Sequence, residues 1–163
     1  MMEELGQILK DIGDKNGLEI SLDESGSCAL ELSDGRVLLI QERAGLDELD
    51  FVATLGPVPE EKRAAVFTDL LAANFYWKET YGATISWNAD IEEAVIMYPV
   101  SLVAATPHSV ETEFARFLDL QAAWANRLAG LVAGEQDDDE DGDDGENGEN
   151  EAGGKGSDLM IKA

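Results

Sequence analysis

The chain has 163 residues, with 35 acidic against 11 basic ones and a net charge of −24. That length holds one domain and little more, and 44% hydrophobic content is enough for a core. No run of about eighteen apolar residues exists to span a membrane. The acidic start, Met1-Met2-Glu3-Glu4, lacks the basic-then-apolar order of a secretory signal. The lone Cys28 excludes an internal disulfide and fits a reducing compartment, so a cytoplasmic location is expected. Residues 131–163 carry 12 acids and 2 bases, and residues 1–130 carry 23 acids and 9 bases. A body acidic in its own right repels phosphate backbones and anionic lipid and favours basic protein partners.

Leu5, Ile8, Leu9 and Ile12 recur at helical spacing and form one apolar stripe on a short first helix, ended by Gly13 and Gly17. Residues 28–32 and 37–41 flank Ser33-Asp34-Gly35-Arg36, a turn sequence that tolerates positive φ, and read as an antiparallel hairpin. A third strand, 49–55, places Leu49, Phe51, Ala53 and Leu55 on one face, and Gly56-Pro57-Val58-Pro59 breaks it. A helix opens near Pro59, with Glu60 and Glu61 at its positive end, and runs to about Tyr76 with Phe67, Leu70, Leu71 and Asn74 aligned. Two strands follow, 83–87 and 94–98. The second is apolar on both faces and so is central or covered by a partner. The last helix starts at Thr106-Pro107 or Ser109, and its inner stripe is Phe114, Phe117, Leu118, Gln121, Trp124 and Leu128.

The order helix, three strands, helix, two strands, helix predicts an α+β domain over residues 1–133, its antiparallel sheet flanked by helices. Residues 134–156 are almost wholly Asp, Glu, Gly and Asn. They cannot bury enough apolar surface to offset their ordering entropy, so residues 134–163 are expected to form a disordered acidic tail.

Signs of catalysis are mostly negative. His108, the single histidine, sits at a helix start and reads as a surface residue. Cys28 alternates with Leu30 and Leu32 and reads as core. Zinc spacing, a phosphate-cradling loop and an ordered calcium loop are all missing, so no enzyme, metal or cofactor is expected. Phe75, Tyr76, Trp77, Tyr81 and Trp87 are instead crowded enough to suggest a protein interface.

Leu70-Leu71-Ala72-Ala73-Asn74-Phe75 followed by Tyr81-Gly82-Ala83-Thr84-Ile85-Ser86-Trp87 resembles the signature region of the CesT/SycE-like type III secretion chaperones. Phe51-Val52-Ala53-Thr54-Leu55-Gly56 is similar to their third strand, and Phe114-Ala115-Arg116-Phe117-Leu118 through Leu128 to their closing helix. The resemblance implies a cytoplasmic, acidic homodimer without nucleotide or metal. Such a chaperone holds the N-terminal segment of a secreted effector extended and export-competent. On that reading the candidate effector contacts are Leu5, Ile8, Leu9, Ile12, Leu38 and Ile40. The candidate dimer contacts are Val66, Leu70, Phe75, Trp77, Ile85 and Trp87. The acidic tail departs from the family pattern. A regulatory scaffold of the same fold, or sequestration of basic proteins by the tail, are therefore the alternatives.

The tail holds nothing that could pack. Truncation after Ala133 is expected to leave the melting temperature and dimerisation nearly unchanged. It should alter the association rate with a basic partner more than the dissociation rate, and stopped-flow measurements at rising salt should show that difference shrink.

Overall fold

The computed structural model describes residues 2–32, 35–43 and 45–134. The expected tail therefore lies outside the described residues, apart from Gly134. Helix α1 (Met2–Asn16) leads into strands β1 (Ser27–Glu31), β2 (Val37–Arg43) and β3 (Glu48–Pro57). A 3-10 turn, Glu60–Lys62, opens α2 (Arg63–Ala73), and a second, Phe75–Trp77, follows it. Strands β4 (Thr84–Asn88) and β5 (Glu93–Ser101) precede the long α3 (Pro107–Ala133). The five strands form one antiparallel sheet in the order β1-β2-β3-β5-β4. The expected α+β class and element order are what the chain adopts.

Register determines which side of the sheet is packed. Cys28, Ile40, Phe51 and Tyr98 are successive cross-strand partners, as are Leu38, Ala53, Ile96 and Ile85. All of these are buried, in one cluster with Leu5, Leu9 and Ile12 of α1, Val66 and Leu70 of α2, and Phe114, Phe117 and Trp124 of α3. The helices therefore share one face. Phe51 packs edge-on against Phe114 at 5.3 Å and lies 5.6 Å from Phe117. Gln121, on the same stripe, is satisfied although buried. It donates to the Thr54 carbonyl (2.8 Å) and accepts from Arg36 Nη1.

Several boundaries move, each for a local reason. Gly13 does not end α1. A Cβ there would stand 2.5 Å from the Leu18 carbonyl oxygen, so glycine lets the following segment cross close to the helix, and Gly17 (φ +69°) terminates it. Strand β3 is not broken at Gly56. A register shift between Thr54 and Gly56 absorbs the irregularity and pairing continues to Pro57, opposite Glu93. Helix α2 stops at Ala73 rather than near Tyr76. Helix α3 is capped at Thr106, whose Oγ1 accepts from the Ser109 amide (3.1 Å) while Ser109 Oγ accepts from the Thr106 amide (2.9 Å), with Pro107 first in the helix.

Tyr98 ties the sheet to α3 by donating from its hydroxyl to Glu113 Oε2 at 2.6 Å. Burial, then that carboxylate, pushes the phenol up to about 12. Between pH 10 and about 12 the unfolded chain has lost a proton that the fold retains, so stability falls across that window. Tyr98→Phe is expected to cost about 1 kcal/mol at pH 7, because Glu113 stays partly hydrated. It should also remove this contribution to alkaline loss, read from denaturant midpoints at pH 8 to 11.5.

Candidate functional site

Three surfaces are left open by the packing of the core. The first is the β1 edge. Ladder alternation turns the backbone groups of Ser27, Ala29 and Glu31 outward, and those of Ser27 are taken by the Asp23 turn, through Asp23 N–H to the Ser27 carbonyl (2.8 Å) and Ser27 N–H to Asp23 Oδ1 (3.0 Å). Ala29 and Glu31 are left to pair. Ahead of β1 lies a groove of about 880 Å³ between α1 (Gly6, Gln7, Lys10, Asp14) and the 17–26 segment, with Ile20 and Leu22 in its lining and Glu42 at its margin.

The opposite edge is closed differently. The Asn74 side chain, just past α2, accepts from the Ile85 amide (2.9 Å) and donates to the Ile85 carbonyl (2.8 Å). Its amide occupies the outer side of β4 as a neighbouring strand would, which blunts that edge at its centre. A polar residue on the apolar stripe of α2 was the signal available in sequence.

The second surface is apolar and surrounds that closed edge. A pocket of about 140 Å³ between α2 and β4 is lined by Phe67, Leu70, Leu71, Ile85, Ser86 and Trp87. Around it Leu71, Phe75, Tyr76, Trp77 and Tyr81 stand between 53% and 80% exposed. Tyr76, Trp77 and Tyr81 have φ of +55°, +52° and +51°, a left-handed backbone that aromatic residues adopt only at a cost. In that conformation the three rings stand exposed instead of entering the core. Arg63 lies over the Trp87 ring at 4.8 Å and bonds Glu92 at the rim.

The third surface is the uncovered sheet face. Leu39, Val52 and Met97 form one half-buried cross-strand row, and Gln41, Asp50 and Pro99 form the next. Asp50 is the one strand residue of this face, among those described, that is buried. Its Oδ2 lies 3.5 Å from Arg43 Nε, and its Oδ1 has no hydrogen-bond partner among the described residues.

The predicted site residues divide accordingly. Leu5, Leu9, Ile12, Leu38 and Ile40 are at most 5% exposed, and in this chain they hold α1 and α3 to the sheet. Ile8 alone of that set is half-buried. Of the candidate dimer residues, Phe75 and Trp77 are exposed and Trp87 is half-buried, while Val66, Leu70 and Ile85 lie beneath them in the core. The β1 edge and Asp50 were not singled out in sequence, and Asn74 was noted only on the α2 stripe and in the family signature. Among the described residues no cluster of His, Cys, Asp and Glu could hold a metal ion, and no helix is long and apolar enough to cross a membrane.

This fold, with its helices on one face of the sheet, is similar to that of chains in several solved complexes. It is similar to a chain of the ExsC–ExsE complex (TM-score 0.68, 18% identity, 78% of this chain and 96% of that one). It is also similar to a chain of the HopA1–SchA chaperone–effector complex (TM-score 0.58, 13% identity, 77% and 98%). A third similar chain comes from the heterodimeric ExoU–SpcU complex of the type III secretion system of Pseudomonas aeruginosa (TM-score 0.55, 19% identity, 78% and 97%). The chain belongs to the Tir chaperone protein (CesT) family, whose model matches residues 7–125. Among curated proteins, none matches its sequence.

Burial, then the Glu48 charge, raises the Asp50 carboxyl above its ordinary value, with Arg43 opposing. The fold thus keeps a proton that the unfolded chain loses near pH 3.8, and this group's contribution to stability falls as pH rises through its folded value. Asp50→Asn is therefore expected to melt at or above the wild-type temperature at pH 7. Its advantage should shrink toward pH 3.5 in thermal melts across that range.

Proposed function

We propose that the chain is a cytoplasmic type III secretion chaperone. In this reading it binds the N-terminal segment of a secreted effector in extended form and keeps it competent for export, without catalysis. Membership of the CesT family over residues 7–125 is the observation that carries it. The geometry supports it. An extended segment gains main-chain hydrogen bonds at Ala29 and Glu31, and its continuation past Ser27 meets the groove beside α1 at Gly26. Ile8, half-exposed on α1, is then a direct contact, and Leu5, Leu9, Ile12, Leu38 and Ile40 are the packed support behind it. Their deep burial means that direct contact would require α1 to lift.

The α2–β4 surface serves self-association in this reading. Exposed rings around an apolar pocket suit a twofold interface, where each patch meets its own copy and one substitution removes two contacts. Val66, Leu70 and Ile85 support that patch from within, while Phe75, Trp77 and Trp87 reach its surface.

Co-expression of the tagged chain with the product of a neighbouring reading frame tests the chaperone role. Capture of a secreted protein through its N-terminal segment, protease-resistant only in the complex, is expected; no such capture would refute the reading. For the dimer, light scattering at tens of micromolar should give twice the chain mass. The double variant Phe75→Ser and Trp77→Ser should give the monomer mass with unchanged circular dichroism, because both side chains lie outside the core.

A further inference from the structure

Arg43 is shared between two acids on the uncovered sheet face. Its Nη1 bonds Glu48 Oε2 at 2.9 Å, while its Nε reaches Asp50 Oδ2 only at 3.5 Å. The three groups are one cation short. Asp50 is 6% exposed, and its Oδ1 has no partner among the described residues. An ionised oxygen in that position is costly, and a second positive charge is what would relieve it. Arg43 is held more closely by Glu48 than by Asp50, and it meets Asp50 at Oδ2 and not at Oδ1.

The surroundings define the shape of what brings the charge. The row Leu39, Val52, Met97 lies two residues along the strands from the row that contains Asp50. Two residues of extended chain advance about 6.8 Å and return side chains to the same face. A strand-like segment laid along this face thus places an apolar side chain on one row and the side chain two positions on over Asp50.

We propose that this face reads a cationic residue in the extended partner segment: Asp50 receives an arginine or lysine that stands two positions from an apolar residue. The proposal rests on the chaperone reading and names the partner chemistry of one of its surfaces. The acidity of residues 1–130, with 23 acids against 9 bases, adds long-range attraction for such a segment.

The test is an amide NMR titration of the full chain with the peptide acetyl-Ser-Val-Thr-Val-Thr-Arg-Ser-Gly-amide and with its citrulline analogue, which removes the charge and keeps the shape. Shifts are expected in residues 37–43, 48–54 and 95–101, with the arginine peptide bound about tenfold more tightly, as one charge-assisted contact allows. Asp50→Asn should bring the two peptides to equal affinity. Arg43→Gln, which removes the competing cation, should widen the preference, so the two variants act in opposite directions where a merely structural role would not separate them. Equal affinity for both peptides, no binding at millimolar peptide, shifts on other elements, or an unchanged preference in Asp50→Asn would overturn the proposal. So would shifts of this face that appear without peptide, either on truncation after Ala133 or on raising the protein concentration, since the chain's own tail or a second copy would then be the occupant. Undiminished capture of the secreted partner by Asp50→Asn would overturn the cation site and leave the chaperone reading standing. Absence of any captured partner with the wild-type chain would overturn the chaperone reading, and the peptide preference would still decide the site.

Discussion

The rest of the structure depends on the contact between the middle of α3 and the middle of β3. Phe51 lies fully buried at the centre of the sheet, with Phe114 and Phe117 against it. About one helical turn on from Phe117, Gln121 reaches the Thr54 carbonyl at the point where the β3 register slips. An apolar contact and a buried hydrogen bond, placed on one helix stripe, hold α3 at one position along the sheet. The other helices then take the flanks. Helix α1 is linked to α3 by Lys15 and Glu111 at 2.7 Å, and α2 packs by Val66, Leu70 and Ala73.

Among the described residues all helical cover is thereby used on one side. A sheet of five strands has two faces and two edges, and the described residues cover one face and blunt one edge. The blunted edge is instructive because Asn74 closes it with a side-chain amide and not with another strand. Exposed rings gather at that edge, where a second strand is discouraged but an apolar partner surface is welcome. The open β1 edge, by contrast, keeps backbone groups available for an extended chain. The two edges thus differ in chemistry, one capped by a side-chain amide and the other left with backbone groups at Ala29 and Glu31.

Charge adds a second layer. Exposed ion pairs such as Lys10–Asp14 and Arg127–Glu79 contribute little each, since water and salt screen them. A carboxylate withdrawn from water is different. Asp50 weakens the isolated domain as it ionises, and a site that costs stability when empty can return it on binding. A cation brought to this face would be attracted both by Asp50 and by the net acidity of the body.

Much of the fold was legible in sequence, because periodicity reports which residues share a face. The stripe of α3, the hairpin of β1 and β2 and the alternation in β3 depend on spacing alone, and the element order follows from them. Spacing is silent on which face will be covered. Leu38 and Ile40 alternate with Val37 and Leu39 in a strand apolar on both sides, and only the packing of helices onto one face decided that the first pair is buried and that Leu39 and Val37 are not. Close approach is equally hidden: Gly13 looks like a helix end until Leu18 crosses over it. Asp50 reads as an ordinary polar residue on an outer face, and only sheet register sets it between Gln41, nine positions back, and Pro99, forty-nine ahead, where it is buried. Local pattern determined the elements and the apolar stripes they carry. Long-range pairing decided which surfaces were left over for a partner, because those surfaces are what remains after the core has taken its share.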